Sequence, residues 1–216
     1  MALTDAGCLD LTQAHFHSPA LLMKTPLKLM DIGFAVNSIK TGGFKTVLLY
    51  EEFSLNIFLT RCALDKELKA SLEYGFCVNL RDKNAAAAAS DIISALETNF
   101  KYLFLKEPSY NPAVKPVCHI ASYDFIAEIK NKYASKFKII VQNCFLHEND
   151  EKLLAKQLNA GADFIATYNK NLSGDIISKY HNKLILLNRS DSGAPQSLPA
   201  TADNGLPVIY EKVWFN

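Results

Sequence analysis

A compact α/β chain of eight strand–helix units, a (β/α)8 barrel of the TIM type with its last helical unit reduced, is the fold class this sequence predicts. Three observations carry it. Short apolar runs rich in β-branched and aromatic residues alternate with amphipathic stretches along the chain. The runs are near-continuous, as parallel strands covered on both faces require, and parallel pairing needs helical crossovers. No glycine-rich phosphate loop follows any run, which disfavours the rival, an open doubly wound sheet. The 216 residues suit one domain, 1–216, near the short end of the roughly 200 to over 400 residues that this barrel occupies.

Strands are expected at Cys8–Thr12, Lys45–Tyr50, Gly75–Leu80, Tyr102–Leu105, Lys138–Gln142, Asp163–Thr167, Lys183–Leu187 and Pro207–Lys212. Between them, apolar residues recur at spacings of three and four. Leu29, Ile32, Val36 and Ile39 define one helical face, Ala89, Ile92, Ile93 and Leu96 a second, and Phe125, Ile126, Ile129 and Tyr133 a third; Leu154 and Leu158 repeat the pattern. Asn84 and Asp150 have the short side-chain acceptors of N-caps, and Gly42-Gly43 stands where a helix end needs positive φ. Ala85–Ala89 reads as a closely packed helix start. Two stretches break the rhythm. Lys106–Pro116 and Arg189–Pro207 hold three prolines each and no apolar period, so the helix after the seventh strand is expected to be missing or reduced.

Composition narrows the function classes. Lys+Arg 23 against Asp+Glu 22 removes the charge footprint of a nucleic-acid or polybasic membrane binder. Mean hydropathy is +0.02, and no apolar run approaches the roughly 18 residues of a membrane span. The first residues carry neither a basic segment nor an apolar one, so no secretory signal is expected. Five cysteines (Cys8, Cys62, Cys77, Cys118, Cys144) without a CxxC pair point to free thiols in a reducing cytoplasm. Neither a cofactor nor a metal site is expected. His15 and His17 share a strand face near Asp10, but two histidines fall short of the three or four ligands a metal needs.

One segment resembles a known family. Lys138-Ile-Ile-Val-Gln142, a helix, and Ala160-Gly-Ala-Asp-Phe-Ile-Ala-Thr167 resemble the strand–helix–strand unit of the deoxyribose-phosphate aldolases, with its "K-V-I-I-E-T" and "A-G-A-D-F-I-K-T". Leu9-Asp-Leu-Thr12 is similar to the "D-L-T" of that family's first strand, and Gly43-Phe-Lys-Thr-Val47 falls at compatible spacing. The resemblance implies a barrel whose lysine forms a Schiff base with a substrate aldehyde, chemistry that requires an amine with a neutral fraction. Here Ala166 stands at that lysine's place and Leu103 at an aspartate's. The seventh strand lacks the second lysine and the Gly-Gly near the substrate phosphate, and only Asp10 survives of the acid–base set.

Two lysines at the C-terminal ends of strands, Lys106 and Lys170, are the candidates to supply a replacement amine, with Asp10 as their catalytic partner. Thr167, Asn171, Arg189 and Ser190, flanked by Ser192 and Gly193, are the candidates for binding substrate, including a phosphate. Glu51 and Glu52 close the second strand as an alternative acid or base. The expected ligand is a small phosphorylated compound or aldehyde. An uncovered apolar patch on the barrel exterior would imply a homodimer.

Two function classes follow: a diverged carbon–carbon lyase, or a barrel whose pocket binds without catalysis. A third reading rests on Arg81-Asp-Lys-Asn84, similar to the "R-D-R-N" turn of the methylenetetrahydrofolate reductases, and would make the chain a flavoprotein. That family's first-strand glutamate and glycine-rich turn have no counterparts here.

Overall fold

The computed structural model describes residue 16 and residues 19–24, 29–50, 54–69, 72–80, 85–106, 122–133, 136–143, 150–190 and 199–212. They form a closed parallel barrel of eight strands: β1 Ala20–Lys24, β2 Thr46–Tyr50, β3 Glu73–Asn79, β4 Tyr102–Lys106, β5 Lys138–Gln142, β6 Phe164–Thr167, β7 Leu184–Ser190 and β8 Val208–Lys212. Six helices accompany them: α1 Leu29–Gly42, α2 Ser54–Leu68, α3 Ala85–Glu97, α4 Ser122–Tyr133, α5 Asp150–Asn159 and α6 Gly174–Tyr180. No helix is found among the described residues between β7 and β8, in keeping with a reduced last unit.

Seven of the eight expected strands coincide with observed ones to within a few residues. The first does not. Ala20–Lys24 pairs with both β2 and β8 and so closes the barrel, which corrects the expectation of a first strand at Cys8–Thr12, residues that lie outside those described. The physical reason is burial on both faces: Ala20, Leu21, Leu22 and Met23 are all buried. A run of four apolar residues fits such a strand, whereas the alternating Cys-Leu-Asp-Leu-Thr suits a strand with one wet face.

Alternation sorts the strand residues into two cores. One face packs inside the barrel, with Leu22, Leu48, Cys77, Tyr102, Phe104, Ile140, Phe164, Ala166, Ile185, Leu187 and Ile209. The other, including Leu21, Val47, Phe76, Leu103, Ile139 and Ile165, meets the helices. Gly75 is small because the interior is full there: a Cβ would come within 2.2 Å of Leu48 Cδ2.

Three helices hand the chain to the next strand by one device. At the end of α1, Gly43 has φ +63°, its N–H bonds the Lys40 carbonyl at 3.3 Å, and the Phe44 N–H bonds the Ile39 carbonyl at 3.2 Å, the Schellman pattern. Asn99 and Gly161 occupy the same place after α3 and α5. In each case the next residue, Phe44, Phe100 or Ala162, is buried and anchors the chain under the helix. No helix among the described residues is long and apolar enough to cross a membrane.

The two ends of the barrel differ in kind. At the N-terminal end Phe16 sets its ring edge-on against Tyr102 at 5.5 Å and Phe164 at 5.7 Å, an aromatic floor under the interior. The Tyr102 hydroxyl donates to Glu73 at 2.9 Å. Asp163, the aspartate of the Ala-Gly-Ala-Asp segment, accepts from the Ile139 N–H at 2.7 Å and from Lys130 at 2.8 Å. Its work is structural, tying β5 and β6 to α4.

Candidate functional site

The C-terminal end is built of polar side chains. Counting two residues on from the inward apolar positions brings Lys106 (β4), Gln142 (β5), Tyr168 after β6, Arg189 (β7) and Glu211 (β8) to the mouth of the barrel, where this fold places its active sites.

Lys106 Nζ donates to Glu211 Oε1 at 3.0 Å, reaching across the mouth from β4 to β8. Glu211 is 5% exposed, so its carboxylate depends on these partners for solvation. The Tyr168 hydroxyl donates to Glu211 Oε2. The ammonium of Lys106 also lies 4.5 Å from the centre of the Tyr50 ring, a cation–π contact. Burial, helped by its hydrogen bond to Glu211, pushes the Tyr168 phenol far above the usual range. Burial and then the Glu211 charge push Tyr50 up to about 12. Below this layer Cys77 is buried, and desolvation keeps its thiol protonated. Arg189 is the cross-strand neighbour of Glu211 and lies at the exposed rim.

Gln142 completes the mouth. It is 3% exposed, its cross-strand neighbour on β6 is Ala166, and among the described residues its Oε1 has no hydrogen-bond partner. The residue after it is clamped. Asn143 donates its N–H to the Ala166 carbonyl at 2.7 Å and its amide to Gln157 Oε1 at 3.0 Å, and Gln157 in turn donates to Ser122 Oγ at 2.8 Å. This buried chain of amides fixes the end of β5 to α4 and α5.

Of the residues expected from sequence, Lys106 and Arg189 therefore reach the mouth. Thr167 is fully buried, on the strand face shared with Ile165 and the helices, and its hydroxyl accepts the Asn169 N–H at 3.1 Å. Lys170 and Asn171 are exposed in the loop after β6, where the Asn171 N–H bonds Asn169 Oδ1 at 2.8 Å. Ser190 ends β7. Asp10, Glu51, Glu52, His15, His17, Ser192, Gly193 and Arg81–Asn84 lie outside the described residues. Ala166 does face the interior, as the resemblance requires. Leu103 does not: it packs against the helices, and the inward residues of β4 are Tyr102, Phe104 and Lys106.

Glu211, Tyr168, Tyr50 and Gln142 were missed as a set. The signal lay in the strand alternation, continued past each apolar run to the first polar residue on the same face. Among the described residues no group of His, Cys, Asp and Glu is arranged to hold a metal ion.

No family model matches the sequence, and no curated protein matches it. Solved structures do match in fold. A 2,3-dimethylmalate lyase, a PEP mutase/isocitrate lyase superfamily member, superimposes with a TM-score of 0.61 at 10% identity over 89% of this chain and 75% of that one. The N-acetylneuraminate lyase of Fusobacterium nucleatum gives 0.57 at 10% over 88% and 69%. QR15, an aldolase, gives 0.57 at 15% over 89% and 88%. At these identities the likeness is one of fold. The chain has the barrel that these lyases and this aldolase share.

Proposed function

We propose that the barrel acts on a small aldehyde as a carbon–carbon lyase, with Lys106 as the amine. One observation carries this reading: Lys106 on β4, Glu211 on β8 and Tyr168 just past β6 come together in one polar cluster inside the C-terminal mouth. Glu211 is the acceptor at hand for the proton that the ammonium must lose before its nitrogen can attack an aldehyde. Glu211 accepts a proton from the ammonium, the freed nitrogen bonds the aldehyde carbon, and the carbonyl oxygen leaves as water, carrying one proton from that nitrogen and one returned by Glu211. The resulting iminium takes up the electron pair of the bond between its α and β carbons and becomes an enamine, while the hydroxyl on the β carbon gives its proton to Glu211 and becomes the carbonyl of the second product. Tyr168, held protonated, serves as a hydrogen-bond donor to Glu211 and not as the base.

The likeness to lyase and aldolase barrels supports the class, and the resemblance of Lys138–Thr167 to the deoxyribose-phosphate aldolases supports an aldehyde of sugar type. Arg189 at the rim, with Lys170 and Asn171 in the adjoining loop, supports a phosphate at the substrate's far end. The test is reductive trapping. Incubation with acetaldehyde or deoxyribose 5-phosphate, then borohydride, adds the mass of one reduced adduct; no adduct at saturating aldehyde excludes the imine mechanism.

A second reading, a barrel that binds such a ligand without turnover, draws on Ala166. The family's lysine is absent from its inward position, while the surrounding core is intact. Trapping at Lys106 without cleavage of any aldol substrate is its expected signature.

A further inference from the structure

We infer that a cavity at the N-terminal rim of the barrel binds a dianionic phosphate group, making a second ligand site remote from the mouth. The cavity has a volume of about 330 Å³, and Lys45, Arg61, Glu73, Tyr74, Asn99 and Lys101 line it. Lys45 and Lys101 stand immediately before β2 and β4, and Glu73 opens β3 between them. Lys106 ends the strand that Lys101 precedes, so the cavity and the amine of the mouth lie roughly 16 Å apart along β4.

Donors and acceptors do not balance in this cavity. Glu73 accepts from Lys101 and from the Tyr102 hydroxyl. Asp65, on α2, accepts from the Tyr74 hydroxyl at 2.7 Å and pairs with Arg61 Nε at 3.6 Å. Both carboxylates are thus engaged by the protein itself. Arg61 is engaged too: it donates to the Thr98 carbonyl and lies 5.0 Å from the centres of the Tyr74 and Phe100 rings, which makes it a fixed wall. The ammonium of Lys45 and the side-chain amide of Asn99 have no partner among the described residues. Lys101 gives one of its three N–H groups to Glu73 and keeps two. Three cations therefore stand against two carboxylates, with N–H donors left over.

Asn99 is an independent sign. Of the three helix-to-strand corners built alike, those at Gly43 and Gly161 present no side chain, whereas the one at Asn99, with φ +57°, puts an amide at the cavity. The group that fits is an acceptor. A phosphate dianion directs its oxygens to several sides, as donors converging from two strand starts and a helix end require, and lysines bind it as point charges. A carboxylate holds its two oxygens in one plane and reaches fewer of these donors. The cavity is larger than a phosphate ion and falls at the low end of the roughly 300–1,000 Å³ of small-molecule sites, which leaves room for a short ester chain.

Calorimetric titration of the full chain with glycerol 3-phosphate, inorganic phosphate and malonate at low ionic strength tests the inference; malonate carries two charges without a tetrahedral head. Glycerol 3-phosphate is expected to bind at least about tenfold more tightly than malonate, and Lys45→Met to weaken it about tenfold. Asn99→Gly, a change that the positive φ accommodates, is expected to weaken it about threefold. Arg189→Met, at the mouth, is expected to leave the affinity unchanged. Inorganic phosphate that binds at least as tightly as the ester assigns the cavity to the free ion, and weaker binding of the ion assigns it to a monoester; both support the inference. Absence of binding at millimolar concentration, malonate bound as tightly as glycerol 3-phosphate, or an affinity that falls in Arg189→Met and not in Lys45→Met overturns it. Lys45 is exposed, and if Lys45→Met nonetheless fails to fold, Asn99→Gly decides: an unchanged affinity overturns the inference.

Discussion

The floor and the mouth of this barrel are both polar in part, yet their polar groups are arranged to opposite ends. At the floor Asp163 and Glu73 each accept from more than one donor, and the donors come from elements that have to be tied together: β5, α4 and β4. At the mouth Glu211 is shared between an amine and a phenol, and Gln142 Oε1 has no donor among the described residues. The floor keeps one buried hydroxyl, Thr46 Oγ1, without a partner among the described residues, so the difference lies in the carboxylates: those of the floor tie strands and a helix together, whereas Glu211 holds side chains that gather at the end where this fold places its sites. The contrast teaches which carboxylates to suspect of chemistry.

The comparison can be broken by stability. The largest loss is expected inside the amide chain behind the mouth. Gln157→Leu strands the buried amide of Asn143 and the hydroxyl of Ser122, at about 3 kcal/mol in urea unfolding. Asp163→Ala at the floor removes the acceptor of the Ile139 N–H and of Lys130, and about 2 kcal/mol is expected. At the mouth, replacing both members of the pair, as in Lys106→Met with Glu211→Leu, is expected to cost less than 1 kcal/mol or to stabilise. A double variant that loses as much as Asp163→Ala would show that the mouth pair is structural.

Alkali sharpens the comparison with a smaller effect. Tyr50 ionises at about 12 in the folded chain against 10.0 when unfolded, so its contribution is complete below pH 10 and is lost as the pH rises toward 12. Tyr168 shifts in the same direction. Tyrosinate absorbance should therefore show these phenols silent near pH 10 in the native state, and stability should fall above it. In Glu211→Gln both phenols are expected to titrate lower, since the carboxylate is one cause of each shift.

Much of the barrel was legible in the sequence because seven of its strands are apolar runs set between turn and helix signals. Ala20–Lys24 escaped because it lacks the β-branched and aromatic residues that mark a strand, and an alternating segment nearby imitated one. Helix α2 escaped for another reason. Its apolar residues do not keep to one face: Ile57 and Leu64 are buried while Leu59 is 59% exposed, and Arg61 lies over the rings of Tyr74 and Phe100 at 5.0 Å each in place of an aliphatic contact. Of the site, Lys106 and Arg189 could be read as polar residues ending strands. Glu211 and Gln142 gain meaning only from register and closure, which bring β8 opposite β4 and set Gln142 beside Ala166.

The central claim is that the amine of Lys106 is the reactive group. Peptide mapping of the chain after incubation with acetaldehyde and borohydride tests it most directly. The account predicts a single reduced adduct on the peptide containing Lys106, abolished in Lys106→Met and unaffected in Lys170→Met. An adduct carried by Lys170, or one spread over surface lysines and undiminished in Lys106→Met, would contradict it.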